Sequence, residues 1–219
     1  MTNTEAFLEY IKTGRLPRGF LGLDGAPANN IVCYNARERF ARWAANKCAA
    51  KVRSVVKQRE VILRLGTAAA ARGADKSMLS PLVAICILES GASNASFGRD
   101  QFGTSLAIGP MQTKWSAVMD GGIPYEGYLD IVTDRNPLIG VDAGVGYYLR
   151  FAKRFSVLDA VAKYNDPRTS AATNEHYMKA FQMASSSVFF SVALSLAETA
   201  FTEFAAWLTS NSSAQGDPI

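Results

Sequence analysis

One histidine and three cysteines are all the imidazole and thiol that 219 residues offer, and this scarcity removes several function classes. Cys33, Cys48 and Cys86 lack the paired spacing of zinc sites, and His176 stands alone. Neither a metal centre nor a Cys/His nucleophile pair has enough material, so no metal is expected. Cys86 lies inside an apolar run and reads as a core residue. Cys33 and Cys48 can pair only outside a reducing compartment. The opening MTNTEAFLEYIKTGRLPRGF lacks the basic cluster, continuous apolar stretch and small-residue cleavage site of a secretory signal, so the chain reads as one without its own export tag. A Gly-rich phosphate loop, an aromatic-interleaved RNA motif and a zinc knuckle are likewise missing, which leaves nucleic-acid binding as a side role. Charged residues are 19% against 48% hydrophobic, a balance that excludes a largely disordered chain.

What is present is unevenly placed. Residues 1 to 76 carry 14 Lys/Arg and 6 Asp/Glu, and the remainder carries 9 and 13, so the front is +8 and the back −4. The basic segment Arg37, Arg39, Arg42, Lys47, Lys51, Arg53, Lys57, Arg59 and Arg64 reads first as a solvated helix face that docks on an acidic partner, and second as a polyanion contact. Residues 4 to 13 predict a short helix, and Gly14 to Asn30 an irregular loop. From about Asn35 to Arg72 the composition predicts one long helix, or two broken near Gly66. Ser80-Pro81 reads as a helix start with Ser80 as N-cap, and Gly91 as its stop. Further helices are expected from near Pro110 or Met111, from about Leu138 to Phe155, and from Val157 to Lys163. Val188 to Leu208 is long enough for a membrane span. Ser191, Ser195, Glu198 and Thr202, however, form a polar stripe opposite Phe190, Leu194, Phe201, Phe204 and Leu208, which predicts a helix packed on protein and no transmembrane span. Asn211 to Ile219 read as a tail. The pattern is all-α.

Glu89 draws the chemistry. It follows Leu82, Val83, Ile85, Ile87 and Leu88 and falls in the last turn of its helix. Apolar neighbours and the negative end of the helix dipole both disfavour an ionised carboxylate, an upward push on its pKa that suits a general acid. Taken alone, such a residue is more often a surface glutamate at a helix end.

Its company is more specific. Glu89-Ser90-Gly91, Ala107-Ile108-Gly109-Pro110-Met111-Gln112, Ala162-Lys163-Tyr164-Asn165 and Tyr177 follow one another in that order. Over about residues 77 to 183 this set resembles the catalytic domain of soluble lytic transglycosylases and their goose-type lysozyme relatives. The resemblance implies a lysozyme-like helical domain, flanked by a basic helical extension at 1–76 and an amphipathic helix and tail at 184–219. It implies Glu89 as the acid and then the base, with Ser90, Met111, Gln112, Tyr164, Asn165 and Tyr177 as substrate-binding residues. With one protein carboxylate, the sugar's N-acetyl oxygen takes the place of the usual second one. The implied product is a 1,6-anhydro-MurNAc end, formed without a cofactor from the MurNAc-GlcNAc linkage of peptidoglycan.

Two departures bear on that outcome. Asp166-Pro167 stands where the family has Ala-Gly, and a carboxylate there is a candidate base for water, which favours hydrolysis by a lysozyme. Gly140-Val141-Asp142-Ala143-Gly144, followed by Tyr147 and Tyr148, lacks the family's Asn. Packing is the simpler role for Met111, Tyr147 and Tyr148, and a helix cap for Asn165. A structural virion protein that keeps the fold as scaffold is the reading from another class. The absent signal and long flanks fit delivery by a phage particle, or by a secretion machine, to the bacterial periplasm and wall. The basic arm and the apolar C-terminal helix would dock on partner proteins there.

Overall fold

The computed structural model describes residues 58–92, 97–99, 106–113, 117 and 138–213. The short helix at 4–13, the loop at 14–30, Cys33, Cys48, most of the basic segment and the loop at 121–137 lie outside them. The described part is mostly helical, as the sequence predicts. Its helices are α1 (Gln58–Ala71), α2 (Leu79–Ser90), α3 (Ile139–Ala152), α4 (Val157–Asn165), α5 (Glu175–Ser185) and α6 (Val188–Ser213). Two short strands, β1 (Phe97–Arg99) and β2 (Leu106–Ile108), pair antiparallel with Phe97 opposite Ile108.

Helix α2 is the centre of the packing. Leu79 and Pro81 through Cys86 are buried on every side of it, as expected of a helix that is apolar all round. It packs against α1, α4, α5 and α6. Leu79, Leu82 and Ile85 are fully buried, and each such side chain contributes roughly 1.5–3 kcal/mol relative to exposure. Gly91 ends the helix in the left-handed region (φ 64°), where its N–H reaches back to Ile87 O at 2.8 Å. The start differs from expectation. Helix α2 begins at Leu79, directly after a 3-10 turn at Lys76–Met78 whose cap is Asp75, with Oδ1 accepting the Ser77 N–H at 2.8 Å. Ser80 is an exposed residue within the helix rather than its N-cap, because the preceding turn already leads the chain into helical geometry.

Gly66 does not break α1. The helix runs through it because Gly66 is where α6 crosses: a Cβ there would lie 2.2 Å from Ala197 O. Ala193, Ala197 and Ala200, at helical spacing on α6, form the buried seam of this contact. The larger apolar residues expected to face inward, Phe190, Leu194 and Phe201, flank the seam half-buried, and Ser191, Ser195 and Thr202 face outward. Val188–Asn211 is long and apolar enough to cross a membrane by length and composition alone. Arg64, one residue of the basic segment, is exposed and also makes an ion pair within the chain. Its Nη2 and Nε donate to Asp142 Oδ2 at 2.7 and 3.0 Å, tying α1 to the first turn of α3. Side chains of α1 through α6 share one hydrophobic core.

Candidate active site

Glu89 lies one residue before the end of α2, half-buried, where that helix leaves the core. Its Oε1 accepts a hydrogen bond of 2.6 Å from the Tyr177 hydroxyl. Tyr177 is 9% exposed and comes from the first turn of α5, 88 positions along the chain. Burial raises its phenol well above the usual tyrosine range, and the negative charge and hydrogen bond of Glu89 add to the shift. Tyr164, on the last turn of α4, is also buried. Desolvation, then the fields of Glu89, Cys86 and Tyr147, raise its phenol. Both phenols therefore stay protonated, as donors rather than bases.

The proton of Tyr164 goes to the backbone rather than to Glu89: its hydroxyl donates to Met111 O at 2.5 Å. This bond pins the turn Gly109–Gln112 against α4. The turn, closed by Gln112 N–H to Gly109 O at 3.1 Å, occupies the place where sequence predicts the opening of a helix. Gly109 (φ 71°) and Gln112 (φ 45°) are both left-handed, and for a non-glycine residue such a conformation costs of order 1–3 kcal/mol that the surrounding contacts must offset. Gln112 Nε2 donates to Gly109 O at 2.9 Å, and Ser90 Oγ donates to Pro110 O at 2.7 Å. Ser90 thus fastens α2 to the turn, a contact that sequence does not reveal.

Met111 is a core residue. Its side chain is fully buried against α3, where a Cβ on Gly144 would come within 2.3 Å of Met111 Cβ. The glycine of the Gly144, Tyr147, Tyr148 pattern is therefore the socket for Met111. Tyr147 packs edge-on against Tyr164 at 5.5 Å and against Phe151 at 5.1 Å, a packing role as expected. Cys86 is buried, and desolvation followed by the field of Glu89 pushes its thiol up to about 12.

Asn165 is the last residue of α4 and is exposed. The cap is the extended Asp166 (φ −140°), so Asn165 is not itself a left-handed cap. Asn165 Oδ1 accepts from Asn174 Nδ2 at 3.1 Å, and Asn174 is a residue that sequence analysis does not single out. Asp166 is closely held. Arg168 approaches its two carboxylate oxygens through Nε and Nη2, each at 3.0 Å, and the Arg168 N–H adds a third bond of 3.0 Å. Among the described residues, no group of His, Cys, Asp and Glu is arranged to hold a metal ion.

The structure thus gathers Glu89, Tyr164 and Tyr177 around one carboxyl. Ser90, Met111 and Gln112 form the adjoining turn, and Asn165 stands at the open end of α4. No family model, no curated protein and no solved structure matches the chain significantly. Gln58, whose Nε2 donates to Gly91 O at 2.7 Å, is a further residue beside the site that sequence does not flag. The bond crosses 33 positions, and no local pattern announces it.

Proposed function

We propose that this chain is a lytic transglycosylase with a lysozyme-like catalytic domain, cleaving the MurNAc-GlcNAc β-1,4 bond of peptidoglycan with Glu89 as its acid and base. The observation that carries the proposal is the half-buried Glu89 carboxyl at the end of an apolar helix, held by a phenol that stays protonated. Glu89 donates its proton to the bridging oxygen while the acetamido oxygen of the sugar closes onto the anomeric carbon. The Tyr177 hydroxyl then stabilises the newly formed carboxylate by donating to it. The carboxylate takes the proton of the 6-hydroxyl, and O6 displaces the acetamido oxygen to leave a 1,6-anhydro ring. No cofactor enters this scheme.

Hydrolysis through Asp166 is the less supported branch. A carboxylate that already accepts three hydrogen bonds, two of them from a guanidinium, is stabilised as an anion and is a poor base for water. Digestion of murein by the unaltered chain and by Glu89→Gln, followed by mass spectrometry, tests the proposal. Anhydro ends lighter by one water than hydrolytic ends, lost in Glu89→Gln, are expected. A variant as active as the parent would overturn it, as would an inactive parent, which would leave the structural reading.

The setting proposed is a phage particle opening the wall locally, acting at the bacterial periplasm and wall. Met183, Val188, Val192 and Trp207 are exposed apolar residues on α5 and α6, a surface suited to companion virion proteins. The Ala193, Ala197 and Ala200 seam against α1, with Glu198 and Glu203 on the same helix, supports a protein-packed α6 over a membrane span.

A further inference from the structure

Helix α3 hands the chain to α4 through an unbroken run of exposed residues, Lys153-Arg154-Phe155-Ser156-Val157-Leu158. Phe155, Val157 and Leu158 are 44%, 43% and 53% exposed. Single apolar residues are ordinary on a protein surface, but here three fall within four positions and directly follow two cations. Lys153 and Arg154 have no hydrogen-bond or ion-pair partner for their side chains among the described residues. Lys163 adds a third positive charge: its Nζ lies 4.6 Å from the centre of the Phe155 ring while donating to Thr169 O at 2.9 Å and Pro167 O at 3.2 Å. The carboxylate of this stretch, Asp159, is occupied on both oxygens, by the Ala171 N–H and by the Ser156 hydroxyl, each at 2.9 Å. The backbone of the corner is fixed as well. Phe155 N–H reaches Phe151 O at 3.0 Å, and Asp159 N–H reaches Ser156 Oγ at 3.2 Å. The cations and apolar side chains are thus displayed on an ordered turn, so binding through them need not order the backbone first.

We infer that this α3–α4 corner is a membrane-surface site: it docks on an anionic lipid bilayer, with Lys153 and Arg154 on lipid phosphates and Phe155, Val157 and Leu158 entering the boundary between headgroups and acyl chains. The inference goes beyond the Glu89 reading and does not rest on it. The apolar side chains decide among polyanions. A nucleic acid would engage the cations but leave Val157 and Leu158 in water, and the ring of Phe155 already carries Lys163 on one face, which makes it a poor platform for a base. A second copy presenting the same corner would bring like charges together. A bilayer of negative surface charge uses both features at once.

Co-sedimentation of the full chain with vesicles of phosphatidylcholine alone, and of phosphatidylcholine and phosphatidylglycerol in equal parts, measures the binding. Hydrogen exchange at residues 150–160 locates it, because basic residues elsewhere in the chain also attract an anionic surface. The parent is expected to bind the anionic vesicles more tightly and to show slowed exchange at 150–160. Lys153→Ser and Arg154→Ser are each expected to weaken that binding by roughly fivefold, the scale of one cation near such a surface. Leu158→Ser is expected to weaken it by a similar factor, the scale of half a leucine side chain entering an apolar medium. Circular dichroism checks that each variant is folded, and the two cation variants, at exposed positions without partners, keep the test open if Leu158→Ser does not fold. Equal binding to the two vesicles overturns the inference, as does unchanged exchange at 150–160 or unchanged binding by the cation variants. Weakening by the cation variants alone, with Leu158→Ser folded and unaffected and a DNA duplex competing, marks a nucleic-acid surface and overturns it too. None of these readouts measures cleavage, so the Glu89 reading stands or falls separately.

Discussion

Tyr177 donates to Glu89 Oε1 at 2.6 Å, and this bond joins α5 to the end of the central helix α2. Tyr177→Phe keeps the ring and removes the donor. Glu89 is half-buried, so the loss is expected to cost about 1 kcal/mol of stability and, under the proposed mechanism, roughly tenfold in cleavage rate, because the carboxylate formed in that proposed reaction would lose its partner. Denaturant melts and turbidity assays on the same preparation separate the two effects. An unchanged rate would show that the phenol is only a packing element.

Ser90→Ala removes the hydroxyl that donates to Pro110 O and unfastens the Gly109–Gln112 turn from α2. A modest stability loss of about 1 kcal/mol is expected from one part-buried hydrogen bond. Under the proposed function, cleavage should fall further than stability does, because the turn carries Gln112, which that proposal assigns to substrate binding. Product yield from murein, set beside thermal melts, gives the comparison.

Gly144→Ala and Gly66→Ala are both expected to destabilise, by different routes. At Gly144 the added methyl would lie 2.3 Å from Met111 Cβ, an atom no rotamer change can move aside, so the Gly109–Gln112 turn must shift, and overpacking of this kind costs roughly 1–3 kcal/mol. At Gly66 it would lie 2.2 Å from the backbone oxygen of Ala197, so α6 must shift. Gly66→Ala should therefore loosen α6 in hydrogen exchange, and Gly144→Ala should loosen the turn that carries Met111. Either variant as stable as the parent would contradict the packing described above.

Alkaline pH should weaken the fold. Tyr148, Tyr164 and Tyr177 are raised by burial above the ordinary 10.0, and Cys86 is raised from 9.0 to about 12. These groups hold their protons in the folded chain after the unfolded chain has released them. Their contribution to stability is complete below the ordinary values and declines as pH climbs past them. Tyr148 also buries a hydroxyl that has no hydrogen-bond partner among the described residues. Tyr148→Phe is accordingly expected to stabilise by about 1 kcal/mol at neutral pH and to flatten the alkaline decline. Melts from about pH 8 to about pH 11 check both effects, and a destabilised Tyr148→Phe would refute the first.

The mostly helical character was legible in the sequence, and so was the position of Glu89, because both depend on local features. An apolar run closed by a glycine that accepts φ 64° determines where α2 stops and which residue occupies its final turn. The polar stripe of α6 could be read from spacing alone for the same reason. Tertiary structure decided what each residue of the motif set does. Whether Gly66 breaks a helix or admits a neighbour depends on Ala197, and the ion pair of Arg64 depends on Asp142, 78 positions away. Met111 turned inward because Gly144 leaves room for it. Periodicity and caps report on neighbours along the chain, whereas the destination of a proton or a methyl group depends on atoms that only folding brings together.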